Sequence, residues 1–418
     1  PGWRQRLLGG APVGVAEAFL ALLRQQVYAR DSSAATPYSL ETGTKPPVGG
    51  LLAAAQVLEA ALARLAVPLA ALIEALAALL EDNAGEMDSA ARMRIDSVLR
   101  GLERRGVLQL QGWRAMLASL GGETPGEYVD WMGVERLDGR DIDLGLHRHW
   151  VDPTRPFAEA VAAPAHGMVV TSATLLDGSG GEGAGDGWAA AEQRTGACHL
   201  VRPAGRVTVP SPFDYPALTR IFVVGDVARD KPSQVAAAYR ELFLAAGGGA
   251  LGLFTAITRL RAVHGRISAD LEGAGINLLA QHVEALDTGT LIDIFRAEEN
   301  ACLLGTDAVR DGVDVPGRSL RLIVFDRVPW PRPDILHKAR RDASGGQARD
   351  EMLARLKLKQ AFGRLVRRAA DKGVFVMLDK ALPTRLLGAF PPGVEVRRLG
   401  LAEAVAETRA FLEQDQGE

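Results

Sequence analysis

A glutamine, a glycine and three arginines cluster near the end of the chain, at Gln360, Gly363, Arg364, Arg367 and Arg368. If this run is helical, residues three and four positions apart are neighbours, so all but Arg368 share roughly one face. A glycine lets another backbone or a ligand approach closely, and guanidinium groups clamp phosphate without ever losing their charge. The pattern predicts an element that stabilises charge on a transferring phosphoryl group. A solvated basic helix is the alternative.

Three threonines, Thr174, Thr255 and Thr306, follow short apolar runs of the strand type. Such runs alternate with helical stretches in the second part of the chain, which predicts an α/β fold with a parallel sheet. Ligands gather at the carboxyl ends of parallel strands, so the three threonines can project into one cleft. Alternatively, each threonine only caps the helix after it. The predicted strands are 169–170, 221–224, 251–254, 278–280, 302–304, 322–325 and 374–378, and the predicted helices are 232–247, 257–271, 288–297 and 349–369.

The first part of the chain is predicted to be all-α, because its apolar residues recur at three- and four-residue steps. A kink or a restart is expected at Pro68, since proline lacks a backbone donor. The stretch 178–187 is rich in glycine and is predicted to be a flexible linker. The expected division is a helical domain over 1–148, a strand with a linker over 149–177, and a parallel-sheet domain over 178–418.

The composition is that of an ordinary globular protein, with 47% hydrophobic and 24% charged residues among 418 and a net charge of −3. The whole chain is therefore not a basic nucleic-acid binder, and any such surface must be local. A basic run over 335–372 offers one. Its cations are Lys338, Arg340, Arg341, Arg349, Arg355, Lys357, Lys359, Arg364, Arg367, Arg368 and Lys372.

The apolar stretch from Leu51 to Leu80 is the one segment that resembles a membrane span. Glu59, Arg64 and Pro68 interrupt it and alanine dominates it, which favours a soluble helix pair. No signal peptide is recognisable, and a cytoplasmic protein is expected.

Two phosphate-chemistry motifs are absent from the sequence, the G-x-x-x-x-G-K-[ST] phosphate loop and a D-E-A-H-type metal-binding motif. The nearest approach is Gly43-Thr44-Lys45, but Pro46 and Pro47 follow where the loop's helix would need free N–H groups. This segment is predicted to be an ordinary loop. With Cys198 and Cys302 alone, the chain offers neither a disulfide framework nor a four-cysteine cluster.

Four segments, in the right order, resemble motifs of the DinG-type helicases, the bacterial relatives of the XPD branch of superfamily 2. The run from Gln360 to Arg367 is similar to the sixth motif, Q-x-x-G-R-x-[IV]-R. Thr171-Ser172-Ala173-Thr174-Leu175 resembles the S/T-A-T-L motif that couples nucleotide and nucleic-acid sites. The resemblance covers about residues 150–400, and the first part stands where this family inserts its arch domain.

The other two segments match with departures. Phe254-Thr255 resembles the F-T-S motif, although Ala256 and Ile257 replace its usual ending. The run from Gly305 to Asp314 resembles the fifth motif, which commonly ends W-E-G-[IV]-D. Arg310 stands there for the tryptophan, and the next residue is aspartate instead of glutamate.

The resemblance implies two RecA-like lobes that clamp ATP and Mg²⁺ between them and move along single-stranded DNA. Arg364 and Arg367 would be the catalytic arginine fingers. The implied nucleotide contacts are Gln360, Gly363, Gly312 and Asp314. The implied strand-binding or coupling residues are Thr171, Ser172, Thr174, Thr255, Thr306 and Arg310.

Because the phosphate loop is absent, the resemblance also implies that the chain is the C-terminal part of a longer helicase, and Pro1 in place of a starting methionine agrees with this. The missing N-terminal lobe would hold ATP, Mg²⁺ and any iron–sulfur cluster. The chain alone is expected to be a monomer without a membrane partner and to hydrolyse no ATP. A non-catalytic nucleic-acid-binding or regulatory module with a degenerate RecA-like fold is the alternative.

Overall fold

The computed structural model describes residues 3–8, 10–30, 38–83, 85–137, 139–178, 187–312 and 314–413. The chain forms two compact units. One comprises Pro1–Pro153 with Pro333–Ala343, and the other comprises Thr154–Arg332 with Ser344–Glu418. The first border lies close to the expected one at residue 148. Residues 154–177 cluster with the second unit, however, and the segment 333–343 returns to the first unit.

The first unit contains a three-stranded antiparallel sheet in addition to its helices. The strands, in sheet order, are β1 (Leu40–Gly43), β2 (Tyr128–Leu137) and β3 (Arg140–Trp150). This sheet corrects the expectation of an all-α N-terminal part. Its sequence signal is the Asp138-Gly139 dipeptide between two strand-type runs, which is a hairpin pattern. The helices are Trp3–Leu8, Val15–Tyr28, Leu51–Asp82, Ser89–Leu102, Leu108–Ser119 and Ile335–Ala343, with a π-helical turn at Glu103–Val107.

A histidine and a tryptophan stack on one face of this sheet. Trp131 of β2 lies directly opposite His147 of β3, and their ring centroids are 5.0 Å apart. Gly145 leaves room for the imidazole, since a Cβ there would lie 2.5 Å from the His147 Nε2. Removal from water lowers the pKa of His147, and the nearby His149 lowers it further.

The longest helix of the first unit, Leu51–Asp82, runs unbroken through 32 residues. The helix does not restart at Pro68, which lies inside it and removes one helical hydrogen bond. Among the described residues this is the helix that is long and apolar enough to cross a membrane, which by length and composition alone is weak evidence. Its Glu59 forms an ion pair with Arg114 at 2.8 Å.

The second unit is built on a seven-stranded sheet in which all neighbouring strands are parallel. The order across the sheet is β10-β4-β9-β8-β5-β7-β6. The strands are β4 (Thr219–Val224), β5 (Ala250–Leu253), β6 (Asn277–Ala280), β7 (Ala301–Gly305), β8 (Leu322–Phe325), β9 (Gly373–Met377) and β10 (Val396–Leu399). The predicted parallel α/β sheet is confirmed, and six of the predicted strands lie within two residues of these bounds. β10 was not predicted.

Apolar side chains cover both faces of this sheet, as expected where helices flank parallel strands. In β8, Ile323 and Phe325 belong to one core, whereas Leu322 and Val324 belong to the other. The helices are Thr154–Phe157, Trp188–Thr195, Tyr215–Leu218, Pro232–Ala246, Ile257–Gly273, Thr288–Ala297, Asp307–Gly312, Gln347–Phe362 and Leu401–Glu413. A π-helical turn covers Ala158–Ala162, and 3₁₀ turns cover Ala197–His199, Gly317–Ser319 and Thr384–Ala389.

Two predicted elements of this unit differ in the structure. The strand expected at 169–170 is coil, and Val169 is 89% exposed. A strand needs a hydrogen-bonded neighbour, and none of the described strands lies beside these residues. The helix expected over 349–369 ends at Phe362. Most of the predicted glycine-rich linker, residues 179–186, lies outside the described residues.

Candidate functional site

Thr255 follows β5 at the carboxyl edge of the parallel sheet, where a buried carboxylate holds its backbone. Its N–H donates to Oδ1 of Asp326 over 3.1 Å, and Arg259 Nε donates to the other oxygen over 2.6 Å. Asp326 follows β8, the neighbour of β5, and is fully buried. Burial raises the pKa of Asp326, while the bond from Arg259 opposes this shift. The carboxylate thus fixes the direction in which the chain leaves β5.

Thr306 follows β7, on the other side of β5, and an amide holds it in the same manner. Gln281 Oε1 accepts the Thr306 N–H over 3.0 Å and the Thr306 hydroxyl over 2.9 Å. The Gln281 Nε2 donates to the Thr288 hydroxyl over 3.2 Å. Thr255 and Thr306 therefore follow adjacent strands, and each is held by a polar side chain from a neighbouring strand end.

Sequence reasoning missed these polar partners. Gln281, Asp326 and Asp379 each come one or two positions after a buried strand, and this is the signal that could have found them. Asp379 accepts hydrogen bonds from the backbone of Val328 and from Arg229, both at 3.3 Å. The carboxyl edge is thereby lined by groups that position the loops around it.

The arginine run lies beyond the end of helix Gln347–Phe362, so the predicted shared helical face is wrong. Gly363 caps this helix, and the N–H of Arg364 donates to the Ala361 carbonyl over 3.0 Å. The N–H groups of Arg367 and Arg368 both donate to Asp371 Oδ2, each over 2.8 Å. This side chain offers the backbone an alternative to helical hydrogen bonds. The arginines consequently sit on turns.

Two residues predicted to contact nucleotide come together in the structure. Arg367 forms an ion pair with Asp314 over 3.4 Å, with side-chain exposures of 36% and 69%. The Asp314 carbonyl accepts a hydrogen bond from Arg296 Nε over 3.1 Å. Arg364 and Gln360 are half-buried, and Gly312 ends the short helix after Thr306.

Arg310 differs from its predicted role as a strand contact because it is buried. Its guanidinium pairs with Asp307 Oδ1 over 2.6 Å, and Lys357 Nζ approaches the other oxygen at 2.7 Å. With 4% of its surface exposed, Arg310 stabilises the short helix Asp307–Gly312 instead of facing solvent.

Thr171, Ser172 and Thr174 lie on an exposed turn within the second unit. The Ser172 hydroxyl accepts the Thr174 N–H over 3.1 Å and lies 3.1 Å from the Thr174 hydroxyl. Ser172 thus closes this turn locally, Thr171 is exposed to solvent, and Thr174 is half-buried.

The predicted basic run does not form one surface. Its first part, Ile335–Ala343, belongs to the first unit, whereas the rest belongs to the second. Many of its cations also bond within their own unit: Arg340 to the Trp150 and Val151 carbonyls, Arg349 to Ser344, Arg355 to Asp177, Lys357 to Asp307 and Lys359 to the Leu176 carbonyl. The charge open to a phosphate backbone is smaller than the sequence implies.

The cysteines take no part in this site. Cys302 lies inside β7, where burial raises the pKa of its thiol to about 12. Cys198 is exposed. Among the described residues, no group of three or more histidines, cysteines and acidic residues could hold a metal ion.

Comparison with known proteins assigns a family to the region that contains most of these residues. Residues 239–392 match the helicase C-terminal domain family. This segment includes Thr255, Thr306, Asp314, Arg364 and Arg367. The second unit therefore contains a region that is similar to this family and is built on the parallel sheet described above.

The similar curated proteins narrow the class further. The chain is 32% identical over 253 residues to the ATP-dependent helicase DinG of Mycobacterium tuberculosis, which covers 57% of this chain and 35% of that protein. It is 32% identical over 218 residues to the ATP-dependent DNA helicase YoaA of Escherichia coli, covering 48% and 34%. The 3'-5' exonuclease DinG of Bacillus subtilis is 26% identical over 296 residues, covering 67% and 31%. Over its C-terminal portion the chain is therefore similar to the DinG-type helicases.

The chain spans about a third of the length of these relatives. Solved structures that match the chain include an XPD helicase, at 18% identity and a TM-score of 0.34, which covers 43% of this chain and 35% of that one. S. tokodaii Xpd4 matches at 12% identity and a TM-score of 0.46, covering 95% and 74%.

Proposed function

We propose that the chain is the C-terminal portion of an ATP-dependent DNA helicase, in which Arg364 and Arg367 stabilise charge on the transferring phosphoryl group. The observation that carries this proposal is the pairing of Arg367 with Asp314 over 3.4 Å. The segment that contains Asp314 and the segment that contains Arg367 thereby meet, and the Arg367 guanidinium is presented at the surface. An exposed guanidinium in a loose ion pair can exchange the carboxylate for phosphate oxygens, to which it offers two parallel N–H groups.

The triphosphate and Mg²⁺ need further groups that the described residues do not supply. The sequence has no phosphate loop, and the described residues form no cluster that fits a metal ion. We therefore propose that a separate phosphate-loop lobe holds both, and that this chain joined to such a lobe forms the intact helicase. Gln360, Gly363 and Gly312 would contact the nucleotide from this side.

A path for single-stranded DNA is proposed along the carboxyl edge of the sheet. Thr255 and Thr306 follow adjacent strands there, and their backbones are fixed by Asp326 and Gln281. Hydroxyl and N–H groups of this kind bind phosphate oxygens without reading sequence. The burial of Arg310 removes that residue from the proposed contacts.

The first prediction is that the 418-residue chain alone releases no phosphate from ATP. Without a phosphate loop and a metal site, neither the β- and γ-phosphates nor Mg²⁺ is held for reaction. The measurement is steady-state phosphate release with and without a single strand, with Arg364→Ala as the control for contaminating activity. Turnover by the unaltered chain above that control contradicts the proposal.

The second prediction is weak binding of single-stranded DNA that falls steeply as salt rises, because neutralised phosphates release counterions. Half of the strand's path would lie on the other lobe, which keeps the affinity low. A fluorescence-anisotropy titration of a labelled oligonucleotide at several salt concentrations measures this. Binding that does not change with salt would argue against a phosphate-backbone contact.

A further inference from the structure

The short segment Leu175–Gly178, directly after the Ser172–Thr174 turn, is fastened to the second unit. The Leu175 carbonyl accepts a hydrogen bond from Arg194, and the Leu176 carbonyl accepts one from Lys359 Nζ over 2.8 Å. The Leu175 N–H closes the preceding turn by donating to the Ser172 carbonyl over 3.3 Å. Consecutive residues thus receive bonds from two cations on different helices.

Asp177 is the charged centre of this attachment. Its Oδ2 accepts hydrogen bonds from Arg355 Nη2 over 2.7 Å and from Arg355 Nε over 3.2 Å. The two side chains are 1% and 9% exposed. A buried carboxylate with a two-pronged guanidinium partner holds its position far better than an exposed ion pair.

Asp177 also supplies negative charge to the other two cations. Burial lowers the pKa of both Arg194 and Lys359, and the field of Asp177 opposes that shift in each case. Removing the carboxylate would therefore weaken three attachments together. Arg355 and Lys359 belong to helix Gln347–Phe362, which leads directly into the arginine run.

A contact between two glycines continues the attachment. Gly178 has a φ of 79°, a left-handed conformation that suits glycine. A Cβ on Gly178 would collide with the Gly388 carbonyl, and a Cβ on Gly388 would collide with the Gly178 carbonyl. The backbone after Asp177 therefore lies directly against the 3₁₀ turn Thr384–Ala389.

We propose that Asp177 is a positioning residue that locks the Ser172–Thr174 turn onto helix Gln347–Phe362. The turn and the arginine run then move as one piece, and any movement between lobes occurs before Ser172. The functional part of this inference rests on the proposed helicase activity and deepens it, because it assigns the physical link between Thr174 and Arg364. The mechanical part is a statement about this chain alone.

The mechanical part is tested by amide hydrogen exchange on the 418-residue chain. Asp177→Asn keeps the size and one carbonyl oxygen but removes the charge. Exchange in a peptide covering 171–178 should become about tenfold faster or more, as in local opening. Glu192→Gln is the matched control, since it removes a partly exposed ion pair with Arg206 from the same region and should leave this peptide unchanged. Equal rates in Asp177→Asn and the unaltered chain overturn the proposal.

Protection of helix Pro232–Ala246 reports whether each variant is folded. If Asp177→Asn loses this protection, Arg355→Lys decides the question, because it keeps the charge but loses the two-pronged contact. Faster exchange of 171–178 in a folded Arg355→Lys chain supports the proposal, and unchanged exchange overturns it.

The functional part is tested in the intact helicase by a double-mutant cycle between Asp177→Asn and Thr174→Val. If Asp177 acts through the turn, the double variant loses no more strand stimulation of ATP hydrolysis than the more severe single variant. If the fold-loss in the double variant equals the product of the two single fold-losses, Asp177 and Thr174 act independently and the positioning role is overturned. If the unaltered protein shows no strand-stimulated hydrolysis, the proposed function fails, while the exchange experiment still decides the attachment.

Discussion

Asp326 is the residue on which the carboxyl edge of the sheet depends most. It is fully buried and joins Thr255 to Arg259, whose side chain is 20% exposed. Removing one partner of a buried ion pair leaves the other charge without compensation, which costs about 3–5 kcal/mol. Such a residue does two things at once, since it stabilises the unit and aims the loop that carries Thr255.

We therefore predict that Asp326→Ala lowers the free energy of unfolding by about 3–5 kcal/mol in urea titrations. Asp270→Ala is the matched control, because it breaks an ion pair with Arg240 at side-chain exposures of 39% and 51%. Exposed pairs contribute about 1 kcal/mol or less. A loss in Asp326→Ala no larger than that of the control would show that the buried pair does not stabilise the unit.

For single residues, the sequence predicted which residues form the candidate site, but it did not predict which groups surround them. The spacing of Gln360, Gly363, Arg364 and Arg367 identified the arginine run without a structure. The partners of those residues depend on distant segments, and Asp371 redirects the backbone that a helical pattern would continue. Arg310 illustrates the same limit. Its environment depends on the ion pair with Asp307 and on the packing of the short helix Asp307–Gly312, and the sequence predicted neither.

Among the elements, the short buried strands were the most predictable. Runs such as Leu322–Phe325 are apolar on both faces, and only a sheet covered by helices on both sides buries such a run. The hairpin of β2 and β3 was missed because its alternation is interrupted by Gly133 and Gly145, although the Asp138-Gly139 dipeptide marks its turn. Of these two glycines, Gly145 makes room for His147.

That hairpin predicts a pH dependence. Burial lowers the pKa of His147 in the folded chain, whereas the unfolded chain takes up its proton near an ordinary pKa of about 6.5. As the pH falls through about 6.5, the unfolded state binds more protons than the folded state, so the free energy of unfolding decreases. Above that pH the contribution of His147 to stability is fully present.

His147→Gln should therefore show a smaller loss of stability between pH 7.5 and pH 5.5 than the unaltered chain, in urea unfolding followed by tryptophan fluorescence. The matched control is His166→Gln, which changes an exposed histidine of the second unit. Equal pH slopes in His147→Gln and the unaltered chain would show that the half-buried imidazole does not resist protonation.

For the whole molecule, the order of the motifs predicted the parallel-sheet unit, while the division of the chain was only partly predictable. The segment Pro333–Ala343 joins the first unit although its basic residues seemed continuous with those of the second. Sequence composition does not show which cations bond within their own unit, and this is why the predicted basic surface was too large.

In the proposed intact helicase, Arg364 and Arg367 would stabilise the transferring phosphoryl group. The Arg367–Asp314 pair is exposed, so its loss should cost the fold about 1 kcal/mol or less. An effect of Arg367→Ala on turnover without an effect on thermal unfolding would therefore report chemistry and not stability.

The most direct measurement is single-strand-stimulated ATP hydrolysis by Arg364→Ala, Arg367→Ala and Arg368→Ala in the intact helicase, with thermal unfolding of each variant. We expect the first two to reduce turnover by on the order of 10³–10⁵ and Arg367→Lys to restore little of it. Arg368→Ala, the matched control on the same turn, should stay near normal. Near-normal turnover in folded Arg364→Ala and Arg367→Ala, or a loss confined to Arg368→Ala, would contradict this account.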